Sequence, residues 1–233
     1  MVTVVSLGGS IVAPDIVDEA YLTDFVNSIY ELLEEDKTRK FVFVVGGGGP
    51  ARSWQKSYRA VCDSTSKTEH DTNAMDWIGI MATRLNAQLV KAVFGGLCTN
   101  DVVTDPSASI EFRGRVLVAA GWKPGFSTDN DAVLLAENFG AKIVVNLSNI
   151  EKVYTDDPKK NNDAKPIDNI SWQDFRAIVG NVWEPGKNVP FDPVASRRAE
   201  KLGLTVICAS GKNIDNFKNI VLGKVYIGTT IGV

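Results

Sequence analysis

The chain is short of the groups that many enzymes and metalloproteins rely on. It has one histidine, His70, in 233 residues. A zinc site built from histidines is thereby excluded, and a serine–histidine–acid triad has only that one base to use. Cysteine occurs three times, at Cys62, Cys98 and Cys208, in no paired spacing. Scattered thiols of this kind suit a reducing cytosol and small core positions, not disulfides or a metal centre. No apolar run approaches the ~18 residues of a membrane span, and no signal-peptide pattern is present. A cytoplasmic protein with no membrane contact is expected. Neither charge sign dominates: 25 Lys and Arg face 28 Asp and Glu, a net charge of −3. That gives no global pull toward nucleic acid, so any phosphate recognition must be local. The G-x-x-x-x-G-K-[ST] pattern is missing, which excludes a P-loop. Internal repeats and low-complexity tracts are also absent.

What remains is an ordinary globular composition, 44% hydrophobic and 23% charged. The length fits one α/β domain or two small lobes, and such a chain buries roughly 70% of its unfolded surface. The sequence is organised around Phe41-Val-Phe-Val-Val-Gly-Gly-Gly-Gly-Pro-Ala-Arg52. Residues 41–45 are an unbroken β-branched and aromatic run, the pattern of a strand buried on both faces. Four glycines follow, then Pro50, which suits the first turn of a helix. A strand, a glycine turn and a helix N-terminus make an anion site, because unpaired N–H groups and the helix dipole face the loop. Arg52 adds a forked cation suited to phosphate. The plainer alternative is a tight strand-to-helix turn with an incidental arginine.

Strand and helix patterns alternate along the chain. Strands are expected at 2–7, 41–45, 115–120, 142–147, 204–208 and 225–231. Helices are expected at 18–36, 50–62, 73–94, 130–139, 171–179, 192–202 and 213–222, with Ser171 as one cap and Thr128 or Asp129 as another. The stripe Met75, Ile78, Met81, Leu85, Leu89 and Val93 reads as core or as a subunit interface. Residues 100–114 resist assignment, 148–169 read as a polar loop, and 181–191 as a mobile segment. Alternation of this kind implies an α/β fold with a largely parallel sheet covered on both faces, whose ligands sit beyond the carboxyl ends of its strands. Both early glycine turns, Gly8-Gly9-Ser10 and Gly46–Gly49, lie at such ends.

Further constellations carry chemistry. In Gly121-Trp-Lys-Pro-Gly-Phe-Ser-Thr-Asp129, Lys123, Ser127, Thr128 and the Gly125 backbone suit phosphate or hydroxyl oxygens; a capped helix after a turn is the plain alternative. Residues 148–160 combine Ser148, Asn149, Tyr154, Asp157 and Lys160 in a set suited to a base, a ribose and phosphates, or else form a solvated loop. Asp192 stands at a helix start, where acidic caps are common.

These stretches, in this order, resemble the amino-acid kinase superfamily, and within it the UMP kinases of archaeal type. The matching pieces are Ser6-Leu-Gly-Gly-Ser10, Val44-Val-Gly-Gly-Gly48 with Arg52, and Asp76-Trp-Ile-Gly-Ile-Met-Ala-Thr-Arg-Leu-Asn86. Further pieces are Phe126–Asp129, Val153–Lys159, Asp192-Pro-Val-Ala195 and Gly228-Thr-Thr-Ile231. The resemblance implies a three-layer α/β sandwich, with an acceptor lobe at about 1–125 and an ATP lobe at about 126–233. It implies a UMP site at Gly47, Arg52, Asp76, Gly121, Phe126 and Thr128, with Arg52 on the phosphate and Asp76 on the ribose. It implies ATP contacts at Gly8, Gly9, Ser10, Gly48, Ser148, Asn149, Tyr154, Asp157 and Lys160. Asp129 and Asp192 would organise catalytic lysines or Mg2+ that arrives with ATP. A homohexamer in pyrimidine biosynthesis is the corresponding expectation, with no nucleic-acid partner. Two positions depart from the pattern. Ser6 stands where many relatives carry a lysine, and Lys152 where they usually carry glycine. Lys187 and Lys123 are the candidates to supply the missing charge. Two other readings of the fold stay open: a kinase for another small phosphate or acid, such as isopentenyl phosphate, and a non-catalytic nucleotide-binding or oxyanion-storage module.

Overall fold

A computed structural model describes residues 2–65, 69–180, 182 and 189–233. In chain order its elements are β1 (Val2–Leu7), α1 (Gly9–Val12), α2 (Glu19–Glu35), β2 (Lys40–Val45), α3 (Gly48–Thr65), α4 (Thr72–Phe94), β3 (Val116–Ala119), α5 (Thr128–Phe139) and β4 (Ile143–Ser148). Then come β5 (Val153–Tyr154), β6 (Pro166–Ile167), β7 (Asn169–Ile170), α6 (Trp172–Val179), α7 (Pro193–Lys201), β8 (Thr205–Ser210), α8 (Ile214–Val221) and β9 (Thr229–Ile231).

The main sheet has the order β3-β2-β1-β4-β8-β9-β7. Strands β3, β2, β1, β4 and β8 run parallel, and β9 lies antiparallel to β8. From β1 the chain steps outward through β2 and β3, then returns to place β4 on the other side of β1. The crevice between the carboxyl ends of β1 and β4 is therefore a topological switch point, the place where ligands bind in open α/β sheets.

Alternating side chains divide the core. On one face Val5, Leu7, Phe41, Phe43 and Val45 pack under α2, α4 and α8, with Phe25, Phe94 and Phe217 joining the aromatic cluster. On the other, Val4, Val42, Val44 and Leu117 pack under α5, α6 and α7. Ser6 shares the parity of Val4, so its side chain points to the α5 face. The charged helix face of α2 is capped by Asp18, whose carboxylate accepts the Tyr21 N–H at 2.9 Å.

Several elements differ from the sequence expectation. Ser127, not Thr128 or Asp129, caps α5; its Oγ accepts the Asn130 N–H at 3.2 Å. That leaves the Asp129 side chain available for tertiary contacts. The polar stretch 148–169 contains the β5–β6 pair, and β7 follows at once. Only Thr229–Ile231 of the expected last strand is paired. The expected stripe on α4 is core only in part: Met75 is buried, while Met81 and Leu85 are 57% and 70% exposed. The three thiols are free and buried, as expected.

Candidate active site

The site grows from two glycine turns packed against each other. Gly8 N–H donates to the Leu147 carbonyl at 2.8 Å, joining the end of β1 to the end of β4. Gly46 N–H donates to the Leu7 carbonyl at 2.9 Å, joining β2 to β1. A Cβ on Gly9 would sit 2.1 Å from the Gly48 nitrogen, so two backbones meet where no side chain fits. Gly48 itself holds φ +61°, a left-handed conformation that favours glycine. These glycines thus let two strand ends and the N-terminus of α3 converge on one crevice.

Arg52, in the first turns of α3, crosses to the first turn. Its guanidinium donates to Ser10 Oγ at 3.1 Å and to the Pro14 carbonyl at 2.9 Å, and it remains exposed. Its side chain thus touches Ser10, which the resemblance gives to ATP, while Arg52 itself is expected on the UMP phosphate. Asn86 on α4 was not singled out by sequence, yet its buried Nδ2 donates to both the Gly46 and Gly47 carbonyls, at 2.9 and 3.2 Å. An amide inside an otherwise apolar helix face is the signal that would have pointed to it.

The 121–126 segment is fixed by side chains from outside it. Thr83 Oγ1 accepts the Gly121 N–H at 2.8 Å, and Asp76 Oδ2 accepts the Gly125 N–H at 2.9 Å. Asp131 Oδ2 accepts the Trp122 N–H at 3.2 Å, and Arg84 donates to the Trp122 carbonyl at 3.1 Å. Lys123 lies with its Nζ 3.7 Å from the Trp122 ring centroid and 5.0 Å from that of Phe126. Thr83, Arg84 and Asp131 were likewise missed by sequence reading, because their partners are backbone groups about 9 to 38 residues away.

At the centre stands a carboxylate group without a described cation. Ser6 Oγ donates to Asp129 Oδ1 at 2.8 Å, and the Asp192 N–H donates to Asp129 Oδ2 at 3.2 Å. Asp192 caps α7, accepting the Ala195 N–H at 2.7 Å, and also accepts a hydrogen bond from the Ser127 side chain. Burial pushes the Asp129 carboxyl up to about 6, and the Asp192 charge adds to the rise. Burial likewise pushes Asp131 up to about 7, with Asp129, Asp192 and Asp105 adding to it. Asp192 is raised by burial as well. Ser6, Asn146 and Cys208 lie in register on β1, β4 and β8, forming a polar row beneath this group. Asn146 Nδ2 donates to the Pro190 carbonyl at 2.8 Å, which ties the row to the segment leading into Asp192.

The loop after β4 leaves from the other side of the switch point. The Ser148 carbonyl accepts the Gly211 N–H at 2.8 Å, and Tyr154 sits in β5. Asp157 accepts the Lys159 N–H at 3.0 Å and lies 3.7 Å from the Lys160 ammonium. Lys152 pairs with Asp168, which holds the loop against the β6–β7 connection. Lys187 lies outside the described residues. His70 is exposed at the far end of α3 and pairs with Asp63 at 2.8 Å, away from all of this.

Residues 1–210 match the model of the amino acid kinase family. The chain belongs to that family. The uridylate kinase of Pyrococcus abyssi is 31% identical over 233 residues, 98% of each chain. That of Thermoplasma volcanium is 31% identical, covering 98% of this chain and 96% of the relative. The crystal structure of the uridylate kinase from Archaeoglobus fulgidus superposes with a TM-score of 0.82 at 31% identity, over 99% of this chain and all of that one. The UMP kinase of Bacillus anthracis, 20% identical with a TM-score of 0.75, shares the fold.

Proposed function

We propose that this member of the amino acid kinase family transfers the γ-phosphoryl group of ATP to UMP, giving UDP and ADP. The supporting observation is the Asp76–Gly125 hydrogen bond at 2.9 Å. It joins the 76–86 stretch, which carries the most specific resemblance, to the 121–128 segment, whose residues suit phosphate or hydroxyl oxygens and which the same resemblance gives to the acceptor. Full-length similarity to uridylate kinases supports the same reading.

Acceptor binding falls mainly to the lobe at about 1–125 and ATP binding mainly to the lobe at about 126–233, each reaching across the β1–β4 switch point for some contacts. UMP lies against Gly47, Arg52, Asp76, Gly121, Phe126 and Thr128, and ATP against Gly8, Gly9, Ser10, Gly48, Ser148, Asn149, Tyr154, Asp157 and Lys160. An acceptor phosphate oxygen is already ionised at neutral pH, so in-line transfer needs no general base. The work left to the protein is alignment and charge stabilisation. Mg2+ fits the residues present: Asp129 and Asp192 are paired carboxylates that no described cation balances. Mg2+ is commonly held by one or two carboxylates together with substrate phosphates, so Asp129 and Asp192 are the side chains that would hold it. When bound with ATP, it supplies the positive charge that neutralises the phosphoryl oxygens. Ser6 cannot supply the cation that lysine provides in relatives, and Lys187, with Lys123 second, is assigned that role. A cytoplasmic homo-oligomer, a hexamer by family resemblance, acting in pyrimidine biosynthesis completes the reading.

The test is release of ADP, in a coupled assay, from MgATP with UMP, CMP, AMP or isopentenyl phosphate as acceptor. UMP should be preferred. Preference for isopentenyl phosphate would reassign the acceptor, and no turnover with any of them would favour a nucleotide-binding module.

A further inference from the structure

We infer that Asp131 and Arg84 are positioning residues for the acceptor, acting as a clamp on the two peptide units that flank the Trp122 Cα. The inference rests on the acceptor reading of the 121–128 segment.

The geometry is two-sided. Asp131 Oδ2 accepts the Trp122 N–H at 3.2 Å from α5, and Arg84 donates to the Trp122 carbonyl at 3.1 Å from α4. Two helices thus grip the N–H and the carbonyl of one residue, on either side of its Cα. The Trp122 ring lies 4.9 Å from that of Phe126 and carries the Lys123 ammonium on its face. Any tilt of the Trp122 backbone therefore displaces an aromatic pair and a cation together, beside Gly125 and Asp76.

The clamp does not look like a stability device. Asp131 is fully buried in the first turn of α5, and its Oδ1 has no partner. The Arg84 Nε is buried and unpartnered as well. A buried charge with a single neutral partner normally weakens a fold, and an apolar residue of similar size does better there. Acidic residues in a first turn do favour the helix dipole, but that benefit is small when the group is withdrawn from water and flanked by other carboxylates. Residues that break local rules in this way are expected at sites kept for function. Neighbouring Asn130, whose buried side-chain atoms also lack partners, shows that this turn as a whole is not optimised for packing.

The experiment compares wild type, Asp131→Ala, Asp131→Asn and Arg84→Met by melting temperature, steady-state kinetics for both nucleotides, and calorimetric titration with UMP. Asparagine keeps an oxygen acceptor for the Trp122 N–H; alanine does not. Asp131→Ala should melt at or above the wild-type temperature while its KM and Kd for UMP rise about tenfold, the change one lost hydrogen bond produces. The KM for ATP should stay within a factor of about two, since the clamp touches only the acceptor loop. Asp131→Asn should restore UMP affinity. Arg84→Met should weaken UMP binding in the same way, and the double variant should lose less than the product of the single effects, because both side chains act through the backbone of one residue. Unchanged UMP affinity in folded Asp131→Ala, or a lowered melting temperature with equal loss for both nucleotides, would overturn the clamp. Wild type that binds UMP without turning it over would overturn the proposed kinase activity instead, and the titrations would still decide the clamp.

Discussion

Ser6 shows how much one side chain changes a site. A lysine at this position would place a cation against Asp129; serine places a neutral donor 2.8 Å from its carboxylate. Asp129 is then left with Asp192 as its nearest charge, and both carboxyls rise. The sign of the pH effect follows. A carboxyl whose folded value lies above the ordinary value of about 4 holds its proton more tightly when folded. Its contribution is fully present below about pH 4 and is lost as pH rises through the folded value, here about 6 for Asp129 and about 7 for Asp131. Surface carboxylates such as Asp36, Asp101 and Asp156 are lowered by their partners and act oppositely, but only below about pH 4. The ligand-free protein should therefore be most stable near pH 5, and its melting temperature should fall by a few degrees by pH 7.5. Ser6→Lys should flatten that slope by stabilising ionised Asp129. Thermal denaturation across pH 4.5 to 8 checks both; a melting temperature that climbs steadily to pH 7.5 in wild type would contradict the uncompensated cluster. The sequence shows the missing lysine plainly. It cannot show that Asp131 joins the same cluster, because that depends on how α5 rotates beneath the Ser127 cap.

Elements were legible where pattern and length were both strong. The central strands and the helices α2, α4, α7 and α8 fall within a residue or three of their expected bounds. Short pairings at β5, β6 and β7 were hidden, since two-residue strands carry no periodicity and are held by their partners. The α4 stripe had two readings, core and subunit interface, and burial alone separates them: Met75 is buried against Gln55 and Arg59 of α3, while Met81 and Leu85, with Trp77 beside them, are exposed. These three are spaced four residues apart, and the neighbouring helix α3 also carries exposed apolar residues, Trp54 at 69% and Val61 at 60%. Large exposed apolar residues of this kind are what a protein–protein contact would use. The proposed homo-oligomer would cover them with the same face of a second copy, as two-fold assemblies do. Replacing Met81 and Leu85 together by glutamate should reduce the mass seen by light scattering at micromolar concentration, with the fold unchanged by circular dichroism. A wild type that is already monomeric there would remove the oligomer reading.

At the scale of the molecule, the switch point explains why so many distant sequence fragments were recognisable together. Ser6 on β1, the turn after β2, the loop after β3 and the loop after β4 converge because the order β3-β2-β1-β4-β8 brings their carboxyl ends side by side. Fragment order was readable from sequence; the convergence was not, since it follows from strand order and register. One consequence concerns ligand linkage. The carboxylates Asp129, Asp131 and Asp192 have no described cation among their hydrogen-bond partners, on a chain of net charge −3. ATP without a metal should therefore bind poorly against Asp129 and Asp192, whereas Mg2+ and ATP together should bind well. A ligand that binds only the folded state at about 100 times its Kd adds about 2.7 kcal/mol of stability. For a domain of this size that corresponds to roughly 5–10 °C in melting temperature. Thermal shifts should then rank MgATP well above ATP with a chelator, and above Mg2+ alone. UMP should stabilise without metal, because its predicted contacts lie in the other half, at Arg52, Asp76 and the 121–128 loop. Equal shifts from ATP with and without Mg2+ would show that Asp129 and Asp192 do not await a cation, and would return the missing charge entirely to the protein's own lysines.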